Sequence, residues 1–109
     1  MKNIIVIFAL LHSFTLYAQT TAIGWFKKGL DATDNNEKIQ CYTKAIELNY
    51  KPLAHAYNNR GVAKDDLGRN QDAIDDYSQA IALDLKYDLA YWNRGNAKKK
   101  LYHSPYAAS

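Results

Sequence analysis

The chain carries the same twelve-residue segment twice. Residues 56–67 read AYNNRGVAKDDL, residues 90–101 read AYWNRGNAKKKL, and eight of the twelve positions are identical. The period, about 34 residues, is typical of proteins in which one supersecondary unit is copied and each copy packs mainly on its neighbours. The repeat therefore predicts a stack of similar units, an architecture commonly used for binding.

Apolar residues between the two copies recur at helical spacing. Residues 73, 74, 77, 80 and 81 are Ala, Ile, Tyr, Ala and Ile, which form one stripe on an otherwise polar helix. Gly68 suits the left-handed turn after the preceding helix, and Asn70 is expected to cap the next one. The acidic neighbours at 65–66 and 75–76 are expected to be solvated. The unit is thus helix, tight turn, helix.

An earlier copy becomes visible when one gap is allowed. Residues 39–49 align with residues 74–84, and Asp34 and Glu37 have the spacing of a capping box at the start of that helix. A short helix beginning near Trp25 precedes it. The later copy has only its first helix, which ends near Tyr102, so the sequence predicts five helices.

These residues resemble the tetratricopeptide repeat family, whose pattern W-x2-L-G-x2-Y, A-x3-F and P spans about 34 residues. The middle copy departs from the pattern at Arg60, Lys64 and Leu85, and the first copy lacks about three residues between its helices and has Lys38 in place of a small Ala. The residues that the pattern assigns to the repeat core are Trp25, Gly29, Tyr42, Ala45, Tyr57, Gly61, Ala63, Ala73, Tyr77, Ala80, Tyr91, Gly95 and Ala97.

The resemblance implies an all-α fold, a short α-solenoid of antiparallel helix pairs with about two and a half repeats. A shortened repeat is expected at residues 22–49 and a complete one at 54–87. Residues 88–102 are expected to be the first helix of a third repeat or a capping helix, with a tail at 103–109.

The resemblance also implies a concave groove, formed by the first helix of each pair, that binds peptides. Trp92 is of the residue type that dominates interface energies, although it is equally suited to packing against a further repeat. One subset of the family clamps terminal carboxylates, and only Asn59 matches that clamp, so a chaperone-tail adaptor is not expected. Carried onto this sequence, the groove residues are His55, Asn58, Asn59, Val62, Asp66, Trp92, Asn93, Asn96 and Lys99.

No constellation of residues indicates catalysis, a metal or a cofactor. His55 and His103 lack metal-ligand spacing, and the segment 31–42 lacks the Gly and the final Glu of a calcium loop. The net charge of +3 is too small to indicate a nucleic-acid partner. Cys41 is the single cysteine, so no internal disulfide is possible, and a buried apolar role is expected.

Residues 1–18 have the three parts of a secretory signal peptide. Lys2 supplies the positive charge, residues 4–16 are mostly apolar, and Ala18 suits the cleavage site. This pattern predicts a periplasmic or secreted protein without membrane contact after cleavage. The alternative is an uncleaved anchor, although the unbroken apolar run is shorter than the roughly 20 residues of a membrane span.

The sequence thus predicts an exported, non-catalytic module that binds a protein or peptide. The alternative is a structural protein, a truncated or self-associating array of repeats without a ligand groove. In either case the chain is a candidate homo-oligomer.

Overall fold

A computed structural model describes residues 21–103, which form five α-helices. The helices are α1 (Ala22–Asp31), α2 (Asn35–Glu47), α3 (Leu53–Asp66), α4 (Asn70–Leu83) and α5 (Asp88–Tyr102). The described residues contain no strand, in agreement with the predicted all-α class. The predicted signal peptide at residues 1–18 and all of the tail after residue 103 lie outside the described part of the chain.

Local side chains define where several helices begin and end. The Thr21 hydroxyl accepts a hydrogen bond from the Gly24 N–H at 3.1 Å and caps α1. The Asp34 carboxylate accepts from the Glu37 N–H at 3.0 Å and caps α2, as the sequence predicts. Gly68 follows α3 with φ of +78°, the left-handed conformation predicted for it. These turns set the lengths of the first three helices.

The predicted cap at Asn70 is wrong. Asn70 is the first residue of α4, and its amide donates to the Asp65 carboxylate at 2.6 Å, because the tight turn brings that strong acceptor within reach. Arg69 occupies the cap position without a side-chain capping bond, and its guanidinium instead pairs with Asp72 at 2.8 Å. The turn between α3 and α4 is therefore fixed by side-chain pairs.

Successive helices pack side by side and run antiparallel. Ala54 of α3 shares a buried cluster with Ala80 and Ile81 at the end of α4 and with Ala90 at the start of α5. A second cluster joins Ala73, Ile74 and Tyr77 of α4 to Ala97 of α5. Small residues at these crossings allow the helices to approach closely, and α3 also contacts α5 across the stack.

Two tyrosine rings fill gaps that glycines leave. A Cβ placed on Gly29 would lie 2.6 Å from Cε1 of Tyr42, and one placed on Gly61 would lie 2.7 Å from Cε1 of Tyr77. Real side chains do not approach so closely, so both positions require glycine while the rings stay in place. The first two helix pairs thus use the same packing unit.

A lysine joins the two helices of the shortened first repeat. The Lys38 ammonium donates to the carbonyl oxygens of Gly29 at 2.9 Å and Leu30 at 3.4 Å, near the end of α1. A cation is favourable at this end of a helix because the terminal carbonyls carry partial negative charge. Lys38, which departs from the family pattern, thereby ties α2 to the end of α1.

The predicted core assignment fails at two residues of the last helix. Tyr91 is 41% exposed, and a Cβ on Gly95 would meet nothing within 4 Å. The reason is that no described helix covers this side of α5, whereas Ala90 and Ala97 on its other side are fully buried against α4. None of the five described helices has the length and apolar character required of a membrane span.

Candidate peptide-binding groove and the ion cluster behind it

An open hollow of about 200 Å³ lies between the ends of α1, α2 and α3. The α1 helix contributes one apolar residue, α2 contributes mostly polar residues, and α3 contributes both kinds. The lining consists of Leu30, Asn35, Lys38, Tyr42, Asn59, Val62, Ala63 and Asp66. Three residues predicted for the groove, Asn59, Val62 and Asp66, are therefore brought together.

The hollow combines apolar surface with polar groups. Leu30 and Val62, which both line it, remain 52% and 37% exposed. Burial raises the pKa of Tyr42, and the nearby side chain of Asn59 opposes that shift. The Asn59 amide therefore lies beside the Tyr42 ring in the lining of the hollow. Lys38 and Asp66 place opposite charges at the rim.

Asn58 is removed from the predicted groove. It is only 1% exposed, and its side-chain oxygen accepts from the Asn93 amide at 3.0 Å. Burial raises the pKa of Tyr87, and the nearby side chain of Asn58 opposes that shift. The bond to Asn93 joins α3 to α5, because a buried amide requires hydrogen-bond partners. Asn58 and Asn93 therefore hold the stack together.

The remaining predicted residues lie outside the hollow. The His55 ring packs against Tyr87 with 5.0 Å between centroids, at the start of α3. Trp92, Asn96 and Lys99 lie on α5 and do not line the hollow. Trp92 is 67% exposed, although its counterpart in the preceding copy is the buried Asn58. When the two copies are aligned, Trp92 takes the position that the following helix covers in the preceding copy.

An ion cluster behind the groove contradicts the prediction that both acidic pairs are solvated. Asp76 is 4% exposed, and its two oxygens accept from Nε and Nη2 of Arg60 at 2.9 and 2.8 Å. The Lys64 ammonium lies 3.0 Å from the same carboxylate, and Arg60 also donates to the Thr43 hydroxyl at 3.2 Å. The hydrogen bonds to Asp76 raise the pKa of Arg60 above its ordinary value.

The sequence does contain a signal for this cluster. Arg60 and Lys64 are spaced i, i+4, and both recur in the next copy as Arg94 and Lys98. Like charges one helical turn apart repel each other, so this pair on one face of α3 favours a carboxylate that lies close to both. The family pattern conceals this signal, because it presents both positions as local departures.

Neither a metal-binding cluster nor an exposed cysteine is present among the described residues. No group of three His, Cys, Asp or Glu side chains among residues 21–103 could hold a metal ion. Cys41 is 2% exposed, and burial raises the pKa of its thiol. The thiolate is therefore disfavoured at neutral pH, which agrees with the buried role expected from the sequence.

Stacked antiparallel helix pairs that repeat one sequence unit define an α-solenoid. A family model described as TPR repeat matches residues 66–101. The chain is 39% identical over 70 residues to small glutamine-rich tetratricopeptide repeat-containing protein 2 of Mycosarcoma maydis, a match covering 64% of this chain and 20% of that protein. It is 49% identical over 67 residues to human tetratricopeptide repeat protein 6, covering 62% of this chain and 12% of the relative.

The mitochondrial import receptor subunit TOM70 of Rattus norvegicus is 35% identical over 69 residues, covering 60% of this chain and 11% of the receptor. The chain thus spans about a fifth or less of the length of these relatives. No solved structure gives a match. Together with the repeated sequence and the helix packing, these similarities support a tetratricopeptide repeat protein, with the matched repeat at residues 66–101.

Proposed function

We propose that the chain is a non-catalytic module that binds a protein or peptide in the hollow between α1, α2 and α3. The observation that carries this proposal is the exposed apolar pair Leu30 and Val62, which lines one hollow together with the amide of Asn59. Apolar surface supplies affinity, and an amide can both donate to and accept from a peptide main chain.

The hollow favours an internal peptide segment with an apolar side chain over a terminal carboxylate. Leu30 occupies one of the clamp positions of the carboxylate-binding subset of the family, and its apolar side chain cannot bind a carboxylate there. Lys38, the one cation in the lining, already donates to the Gly29 and Leu30 carbonyls. A free carboxylate would therefore lack a ready partner, whereas an apolar side chain would cover Leu30 and Val62.

We also propose that the module acts outside the cytoplasm. The support is the pattern of residues 1–18, with one cation, an apolar stretch and Ala18 at the cut. One relative with this repeat is named a mitochondrial import receptor subunit, and this supports a binding role rather than a catalytic one.

Leu30→Glu is expected to weaken peptide binding while leaving the fold intact. Peptides selected from a random display library on the full chain would be measured against each variant by isothermal titration calorimetry. A glutamate buried under the ligand without a partner should weaken binding at least about tenfold. The matched control is Leu83→Glu, because Leu83 is 50% exposed on α4 and Leu30 is 52% exposed.

An equal loss of peptide binding in Leu30→Glu and Leu83→Glu would contradict the proposed groove. Full peptide binding by Leu30→Glu would also contradict it. Thermal melts of both variants verify that the fold persists. Because the library supplies the probe, the natural ligand need not be identified first.

A self-associating structural array is the second candidate function. The specific observation in its favour is the exposed apolar surface of α5, where Leu89 and Trp92 are 51% and 67% exposed. Light scattering coupled to size-exclusion chromatography separates the two candidates. A dimer that forms with rising concentration and quenches Trp92 supports the array, and a monomer at all concentrations supports the binding module.

A further inference from the structure

One face of α5 has the same residue types as a face of α3 that α4 covers. No described helix covers this face of α5. In the covered copy, the Tyr77 ring of α4 fills the space beside Gly61 of α3. A Cβ on Gly61 would lie 2.7 Å from that ring. At Gly95, the counterpart of Gly61 in the next copy, a Cβ would meet nothing within 4 Å. Among the described residues, the space beside Gly95 is therefore open where a ring fills it beside Gly61.

The same face of α5 carries two cations that have no acidic partner in the described part of the chain. Arg60 and Lys64 of α3 converge on Asp76 at 2.8 and 3.0 Å. Their counterparts Arg94 and Lys98 form no ion pair with any residue of 21–103.

The other contacts of the arginine are nevertheless in place. Arg94 donates to the Ser78 hydroxyl at 3.2 Å, as Arg60 does to Thr43. Arg94 also lies 5.4 Å from the centre of the Tyr91 ring, and Arg60 lies 5.4 Å from that of Tyr57. The face is therefore preorganised, and residues 21–103 lack only the carboxylate and the ring that would cover it.

The covered copy shows which chemistry fits such a face. Asp76 and Tyr77 are consecutive on α4, so one helical turn supplies both the carboxylate and the ring. Ala73 and Ala80, at the fourth position before the ring and the third after it, are fully buried and let the two helices approach. A matching helix therefore carries an acidic residue followed by an aromatic one, with small residues at those two spacings.

A second copy of the chain is a poor source of this helix. In the printed sequence the only acidic residue directly followed by an aromatic one is Asp76, before Tyr77, and both are already buried in their own repeat. The other ring that fills a glycine gap, Tyr42, is preceded by Cys41. Lending α4 to another copy would break the Arg60 and Gly61 contacts of the donor.

We propose that the face formed by Tyr91, Arg94, Gly95 and Lys98 is a docking surface for an amphipathic helix of a partner protein that carries consecutive acidic and aromatic residues. The aromatic ring packs on Gly95 and the carboxylate pairs with Arg94 and Lys98. This surface on α5 is separate from the groove near Leu30 and Val62, so one chain binds a peptide in its groove and a helix on α5.

The test uses α4 itself, the helix that covers the equivalent face of α3. A peptide with the sequence of residues 69–85, with blocked ends, carries Gln79→Lys so that a lactam to Asp75 can hold it helical. Both lactam positions are exposed in α4, so the bridge lies away from the packing side. Nuclear magnetic resonance titration of the full chain with this peptide is expected to shift the amide signals of Tyr91, Arg94, Gly95 and Lys98 saturably.

Variants on both sides identify the contacts. Peptides with Asp76→Asn or Tyr77→Ala should bind at least about tenfold more weakly. In the protein, Gly95→Leu should abolish binding, because its side chain would occupy the ring site, and it should leave the fold intact because the space there is open. Lys98→Glu should weaken binding, whereas the exposed neighbour Lys99→Glu serves as the charge-matched control.

Three results would overturn the proposal. The first is the absence of saturable shifts on α5 with the lactam peptide. The second is binding that survives Gly95→Leu or that falls equally with Lys98→Glu and Lys99→Glu. The third is a dimer of the chain that Gly95→Leu dissociates, because the occupant would then be a second copy and not a partner helix.

Discussion

Tyr77→Ala is expected to destabilise the protein by about 3 to 5 kcal/mol, because it removes a fully buried ring from the gap beside Gly61. For a small domain, whose total stability is about 5 to 15 kcal/mol, this is a large fraction. At roughly 4 °C or more per kcal/mol, the thermal midpoint should fall by at least about 12 °C.

Circular dichroism melts of the full chain measure this effect. Tyr77→Phe keeps the ring and should lose much less stability than Tyr77→Ala. Tyr102→Ala is the control for loss of a tyrosine, because Tyr102 is 67% exposed at the end of α5. If Tyr77→Ala melted within a degree or two of the parent, Tyr77 would not lie between the helices.

Asp76→Asn is expected to cost about 3 to 5 kcal/mol, because it leaves two buried cations without their shared carboxylate. The side chains of Arg60 and Lys64 are only 18% and 13% exposed, so water replaces little of the lost interaction. The largest part of this cost is the penalty for leaving the two charges unpaired.

The adjacent Asp75→Asn provides a matched control. Asp75 is exposed and accepts only a hydrogen bond from the Gln71 amide at 3.1 Å, so its loss should cost less than about 0.5 kcal/mol. Adding Arg60→Gln to Asp76→Asn should recover part of the stability by removing one unpaired cation. Urea unfolding measures the stability of the parent, Asp75→Asn, Asp76→Asn and the double variant. Equal stability of the two single aspartate variants would contradict the buried ion cluster.

The helices and their packing unit are predictable because the same physical requirement appears twice in the sequence. Gly61 and Tyr77 stand at positions where two helices can touch only if one residue has no side chain and the other supplies a ring. The repeat shows that these residues belong together. The cap at Asp34 follows from local spacing alone, since a capping carboxylate and its N–H are only a turn apart along the chain.

The buried polar residues are not predictable from local spacing. Neighbours on a helix point in different directions, and this rule alone predicts that both residues of the pair at 75–76 are solvated. Because neighbours point in different directions, only one of the two residues is buried. Asp76 adjoins the buried Tyr77 and faces α3, whereas Asp75 faces solvent. The assignment of Asn58 to the groove is wrong because its partner Asn93 lies in the next repeat, far along the chain.

The exposure of Tyr91 and Gly95 illustrates a further limit of pattern matching. Their residue types equal those of the covered copy, so the pattern assigns them to the core. Burial depends on whether a neighbouring helix is present, and residues 21–103 contain none on that side of α5. Identical sequences therefore have different surroundings in the two copies.

The difference between the two glycines is also the most direct test of the whole structure. Gly61→Ala forces a methyl group against Tyr77, and the overpacking cost of about 1 to 3 kcal/mol should outweigh the gain in helix propensity of about 1 kcal/mol. Gly95→Ala gains the same propensity in open space and should raise the thermal midpoint by several degrees.

Side-by-side melts of the parent, Gly61→Ala and Gly95→Ala decide the question. Opposite shifts, down for Gly61→Ala and up for Gly95→Ala, are the predicted result. Shifts of the same sign and size would contradict it, because the two copies of the repeated segment would then have the same surroundings.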